Sequence, residues 1–69
     1  MRYAIEIIGS AKRRCYCLKS VTTTGTNPID GKRYRTEDAA RAAAAALGLD
    51  ILVIGDFYEI MHAARNAQS

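Results

Sequence analysis

Residues 36–48, TEDAARAAAAALG, constrain the fold of this chain more than any other stretch. Seven of residues 39–46 are alanine, the residue that costs least to hold in a helix and that lets a backbone approach a sheet closely. Thr36 supplies an N-cap hydroxyl, two acidic residues follow it, and Gly48 stands where a left-handed stop is expected. We therefore predict a helix from Thr36 to Leu47 that packs on a sheet.

The predicted helix has an inner and an outer side. Its inward stripe is expected to consist of Ala40, Ala43, Ala44 and Leu47. Glu37 and Arg41 are expected to pair on the outside. From Ala42 to Leu49 the sequence carries no polar side chain, which is typical either of ordinary exposed alanine or of a covered face. A homodimer through this alanine-rich helix is therefore one prediction.

The rest of the chain has the patterns of strands and turns. The predicted strands are residues 2–8, the β-branched run at 15–24, a short third strand at 32–35 that pairs back onto 21–24, and the apolar run at 50–56. Residues 9–14 are expected to form a hairpin loop. The stretch GTNPIDGK carries turn chemistry, because proline presets one dihedral and glycine accepts the left-handed one.

Residues 56–67 fit either a helix or a strand. Asp56 and Glu59 match a capping box, which would put Phe57, Ile60, Met61 and Ala64 on one helical face. Gly55-Asp56 between two apolar runs also matches a two-residue hairpin turn. We favour the hairpin, with residues 63–69 as a frayed tail.

These elements predict one domain, residues 1–69, of the α+β class. It is a small antiparallel sheet of three to five strands with one alanine-rich helix packed on one face, in the order β-β-(β)-α-β-(β or α). Area scaling gives such a short chain a thin core, about 60% of its surface being buried on folding. The pattern of a secretory signal and apolar runs of membrane-spanning length are missing from the sequence, so we expect a cytoplasmic protein without membrane contact.

Charge is polarised along the chain. Residues 12–35 carry a net charge of +6, whereas residues 36–69 carry −3. The predicted binding residues are Lys12, Arg13, Arg14, Tyr16, Lys19, Lys32, Arg33, Tyr34 and Arg35. A basic half attracts acidic partners, and tyrosines among cations suit either a protein interface or stacked bases. The predicted partner is an acidic protein surface or a protein–nucleic acid complex, and direct nucleic-acid binding is the alternative.

A third hypothesis is a small enzyme or redox protein that uses Cys15 and Cys17. Both point to one face of a strand and supply two of the four ligands of a structural zinc site. With His62 as the sole histidine, cysteine and histidine cannot complete that site in one chain. Neighbouring arginines would lower a thiol pKa, but no base is placed beside the thiols by the sequence. We predict no enzyme, no metal and no cofactor.

The opening Met1-Arg2-Tyr3-Ala4-Ile5 and the helix start Thr36-Glu37-Asp38-Ala39-Ala40 resemble the strand-strand-helix beginning of HicB-type antitoxins, without the proline-glycine motif of that family. In size, single-domain build and lack of an enzyme motif, the chain is also similar in kind to phage-borne accessory inhibitors such as anti-CRISPR proteins. That similarity implies occlusion of a partner's nucleic-acid-binding or subunit-docking surface. We therefore predict a non-catalytic interaction module.

Overall fold

The computed structural model describes residues 2–10 and 12–67, and the elements below refer to this part of the chain. They are β1 (Arg2–Ile8), β2 (Cys15–Val21), β3 (Thr26–Pro28), α1 (Glu37–Ala46), β4 (Ile51–Gly55) and α2 (Phe57–Ala67). The strands form one sheet in the order β3-β2-β1-β4. The α+β class is confirmed. The sheet was predicted to be antiparallel but is mixed, because β1 pairs antiparallel with β2 and parallel with β4, which follows β1 through the crossover helix α1.

The two helices cover opposite faces of this sheet. One buried cluster consists of Ile5, Leu18, Ala40 and Ala44, and the other consists of Ala4, Val21, Ile60, Met61 and Ala64. Ala4 and Ile5 are neighbours in β1, so their side chains point to opposite faces. The predicted helix on one face is α1, and α2 adds a helix on the other face.

The ends of α1 agree with the sequence prediction. The Thr36 hydroxyl accepts a hydrogen bond of 3.1 Å from the Ala39 amide. Gly48 takes a φ of 72° just beyond the helix. The Arg41 guanidinium and the Glu37 carboxylate lie 3.0 Å apart, on the solvent side. Local capping and pairing therefore position this helix as expected.

The inward stripe of α1 differs from the prediction at one residue. Ala40 and Ala44 are buried, and Ala43 packs partly against the same cluster. Leu47 is 54% exposed, so its assignment to the core is wrong. The helix stops at this point, and the turn that follows carries Leu49 into the cluster instead.

The segment after β4 is a helix, so the favoured hairpin is wrong. The Glu59 amide donates to Asp56 Oδ1 at 2.8 Å, and the Asp56 amide donates to Glu59 Oε1 at 3.3 Å. This reciprocal capping box satisfies amides that would otherwise lack partners at the helix start. Ile60 is fully buried by the helix. Residues 63–67 of the predicted frayed tail belong to α2, and residues 68–69 lie outside the described residues.

The third strand lies earlier than predicted. It is Thr26–Pro28, whereas the predicted strand at 32–35 contributes one isolated bridge, between Tyr34 and Tyr16. The Thr22 hydroxyl accepts the Gly25 amide at 3.1 Å, and this bond closes the turn after β2. Because the turn is so short, the return strand begins at once and pairs with Lys19, Ser20 and Val21 of β2, which leaves Tyr16 for the bridge to Tyr34.

Residues 9–14 connect β1 and β2 as the predicted hairpin loop, although Ala11 lies outside the described residues. Gly9 adopts a φ of 97°, and a Cβ at this position would collide with the Arg13 carbonyl oxygen. The Arg13 amide donates to the Ser10 carbonyl at 3.0 Å. The loop therefore requires glycine here, and it presents its cations at one end of the sheet. No helix in the described part of the chain is long and apolar enough to cross a membrane.

Candidate basic interaction surface

The cations predicted to bind a partner line two cavities. The first, which we call the loop cavity, has a volume of about 430 Å³ and is lined by Lys12, Arg13, Arg14, Cys15 and Arg35. The second, the strand cavity, has a volume of about 250 Å³ and its lining includes Ile8, Cys17, Lys19, Pro28, Lys32 and Arg33. Cys15 and Cys17 point to the same face of β2, so the two cavities adjoin. Together they form the basic surface.

The cations of the basic surface are unpaired within the described residues. The ion pair found there joins Glu37 and Arg41 on α1 and involves none of the seven cations that line the cavities. Glu6 lies opposite Cys17 and is half-buried, with Oε1 accepting a hydrogen bond of 3.1 Å from the Thr26 hydroxyl. The positive charge is therefore directed mainly at solvent, where it attracts anionic groups.

Acidic residues mark one border of the basic surface. Arg14 also lines another cavity, of about 340 Å³, with Asp56 and Glu59, the capping residues of α2. Both carboxylates already accept backbone amides of the helix start. The surface therefore ends at the beginning of α2.

An ordered turn presents Lys32 and Arg33. Asp30 accepts the Lys32 amide at 3.0 Å through Oδ1 and the Tyr34 hydroxyl at 2.8 Å through Oδ2. These hydrogen bonds hold the pKa of Asp30 below its ordinary value of 3.8, the bond from Lys32 being the larger cause. Gly31 takes the left-handed φ of 69° that the turn needs. The turn that carries these two cations is therefore ordered by the Asp30 carboxylate, and the same hydrogen bonds favour the charged form of that carboxylate.

The two predicted tyrosines lie on the opposite side of the sheet. Tyr16 and Tyr34 exchange backbone hydrogen bonds of 2.7 and 2.8 Å, and both half-buried rings pack against the α1 cluster. The hydrogen bond to Asp30 raises the pKa of Tyr34. The sequence places these rings beside cations, but strand alternation turns them to the face away from Cys15 and Cys17.

The surroundings of Cys17 favour packing rather than reactivity. Cys17 is 7% exposed, and burial raises its pKa above the ordinary value of 9.0, against a smaller lowering by Lys19 and Arg33. His62 lines a different cavity, together with Thr23 and Tyr58. Among the described residues, no three of His, Cys, Asp and Glu are grouped to hold a metal ion. The basic surface thus offers charge attraction and apolar contact.

The apolar floor of the strand cavity was not predicted. It is formed by Ile8, Cys17 and Pro28. A signal for part of it was present, since antiparallel pairing of the first two strands sets Ile8 opposite Cys15, on the face that Cys17 shares. Pro28 gave no such signal, because its pairing with Lys19 depends on the third strand, which the sequence pattern misplaced.

The outer side of α1 stays uncovered in the single chain. The exposed residues there include Ala42, Ala45, Ala46 and Leu47. The homodimer through this helix stays a prediction.

Comparisons with protein-family models, with curated proteins and with solved structures find no match for this chain. The resemblances to HicB-type antitoxins and to phage-borne accessory inhibitors therefore stay predictions.

Proposed function

We propose that this chain is a non-catalytic interaction module that binds an acidic protein surface through the basic surface. One observation carries the proposal: the seven cations, without an ion pair in the described residues, line two neighbouring cavities, one of which has an apolar floor of Ile8, Cys17 and Pro28. Protein interfaces combine an apolar centre with a polar rim, and arginine is enriched in them. Such a module suits an accessory or inhibitor protein of phage or bacterial origin, acting in the cytoplasm by occluding its partner's working surface.

Direct nucleic-acid binding has less support. Surfaces for single strands stack bases on aromatic rings, whereas Tyr16 and Tyr34 pack against the α1 cluster on the other face. The cations alone would give phosphate contacts without base stacking. An enzyme or redox function has less support still, because the raised pKa of Cys17 disfavours its thiolate and His62 lines a different cavity.

The proposal is tested with a fluorescently labelled peptide of glutamates, by anisotropy at low salt. The surface variant is Arg14→Glu with Arg35→Glu, and the matched control is Arg41→Glu with Arg65→Glu, which changes the net charge equally. Replacing two attractions by two repulsions is expected to weaken binding about tenfold. The control should bind within about twofold of wild type. Equal losses in both variants, or no binding by wild type, would overturn the proposal.

A single-stranded DNA of random sequence tests the alternative in the same assay. If about five phosphates are contacted, its affinity should fall roughly 100-fold between about 50 and 200 mM salt. Absence of DNA binding at the lower salt concentration removes the alternative. DNA binding without peptide binding would replace our proposal with it.

A further inference from the structure

We infer that the strand cavity is an anchor pocket for a single apolar side chain of the acidic partner, an inference that rests on the proposed function. The two halves of the basic surface differ in chemistry. In the loop cavity, Cys15 is surrounded by four cations. In the strand cavity, the apolar floor shares the lining with three cations, Lys19, Lys32 and Arg33. Burial of a hydrocarbon group is therefore favourable in the strand cavity and not in the loop cavity.

The size of the cavity sets the size of the occupant. Its volume is about 250 Å³, roughly eight water molecules at about 30 Å³ each. Pockets for drug-sized ligands begin at about 300 Å³. The strand cavity is therefore large enough for one aliphatic side chain, which would displace most of this water.

The walls of the pocket are held before a partner arrives. Pro28 is paired in register with Lys19, and the Ile29 amide donates to the Leu18 carbonyl at 3.2 Å. The turn that follows is tied by Asp30. A pre-formed pocket loses little conformational entropy on binding, so burial of the side chain appears as affinity.

The rim of the pocket determines what flanks the buried side chain. Lys19, Lys32 and Arg33 form no ion pair within the described residues, so each is available to a carboxylate. The fitting ligand is thus an acidic protein segment with one aliphatic residue among aspartates or glutamates. A uniformly acidic segment would pair with the cations of the rim but would leave the apolar floor exposed to water.

Two peptides of equal charge test this inference on the wild-type protein. Both consist of glutamates around one central residue, which is leucine in one peptide and serine in the other. Burial of one aliphatic side chain is expected to make the leucine peptide bind about tenfold tighter. Equal affinities of the two peptides overturn the anchor pocket and leave the proposed function standing. Binding of neither peptide overturns the proposed function, and the pocket with it.

A variant then places the preference for leucine in the strand cavity. Cys17→Leu fills the pocket from its floor, and Cys15→Leu is the matched control in the same strand and on the same face. We expect Cys17→Leu to bind both peptides equally, and Cys15→Leu to keep the preference. If both variants lost the preference for leucine, or if both kept it, the assignment of the anchor pocket to the strand cavity would be overturned. If Cys17→Leu fails to fold, as judged by its thermal melting, the two-peptide comparison on wild type still decides.

Discussion

Replacing Ile60 by alanine is the sharpest test of how α2 packs. Ile60 is fully buried in the cluster between α2 and the sheet, and truncation of such a residue costs about 2–5 kcal/mol. At about 0.05–0.15 kcal/mol per residue, a chain of 69 residues has a total stability of roughly 3–10 kcal/mol. A loss of about 3 kcal/mol should lower the Tm by about 12–24 °C in a domain of this size.

Tyr58→Ala is the matched control, because Tyr58 lies on the same helix and is 81% exposed. Its truncation should change stability by no more than about 0.5 kcal/mol, and the Tm by less than about 4 °C. Thermal unfolding followed by far-ultraviolet circular dichroism measures both. In a strand, residues 58 and 60 would share a face. Comparable losses in the two variants would therefore refute the packing of this segment as a helix.

Three further predictions concern the turns and the thiols. Gly9→Ala should lower the free energy of unfolding by at least about 1–2 kcal/mol, because φ is 97° and the methyl group meets a backbone carbonyl. Gly25→Ala, where a Cβ meets open space, should stay within about 1 kcal/mol of wild type, and equal shifts in urea midpoint would contradict this reasoning. Iodoacetamide at neutral pH should modify Cys15 before Cys17, whose raised pKa and burial leave little accessible thiolate; peptide mass spectrometry showing the reverse order would refute it. Since folding lowers the pKa of Asp30, its carboxylate stabilises the fold above the unfolded value of about 4, and this contribution is lost as the pH falls through the lower folded value. Urea midpoints should therefore fall less steeply with acid in Asp30→Asn than in wild type, and parallel curves would show that Asp30 plays no such role.

The elements that were predicted correctly are those that local chemistry determines. Helix α1 is fixed by its alanines, by the Thr36 cap and by Gly48, all within one short stretch. Strand β1 and the hairpin loop follow from an alternating pattern that ends at Gly9. In the basic surface, the grouping of the loop cations follows from the hairpin, whereas Arg35 joins them through the bridge between Tyr34 and Tyr16.

The elements that were missed depend on contacts between distant residues. Asp56 and Glu59 satisfy both a turn and a capping box locally, and burial of Ile60 against Ala4 and Val21 favours the helix. The position of β3 depends on the edge that β2 leaves free. Such packing is long-range, and no single stretch of the sequence carries it.

Each face of the sheet is wider than the single helix that packs on it, so part of each face is left without a helix. Four strands at about 4.8 Å spacing form a face of roughly 19 Å, whereas a helix with its side chains is about 10 Å wide. One helix therefore covers about half of each face. On the α1 face, the rings of Tyr16 and Tyr34 extend the cover. On the α2 face, the helix reaches β2 at Val21.

On the α2 face of that strand, Cys15 and Cys17 lie beyond the helix, with Ile8 and Pro28 beside Cys17. An apolar strip of this kind would attract any exposed sheet or helix if it were neutral. Under the proposed function, the surrounding cations would repel other copies of the same basic surface and favour partners of opposite charge. Replacing these cations by neutral residues should therefore increase self-association and weaken the binding of acidic ligands. Both effects would result from the loss of positive charge around the apolar strip.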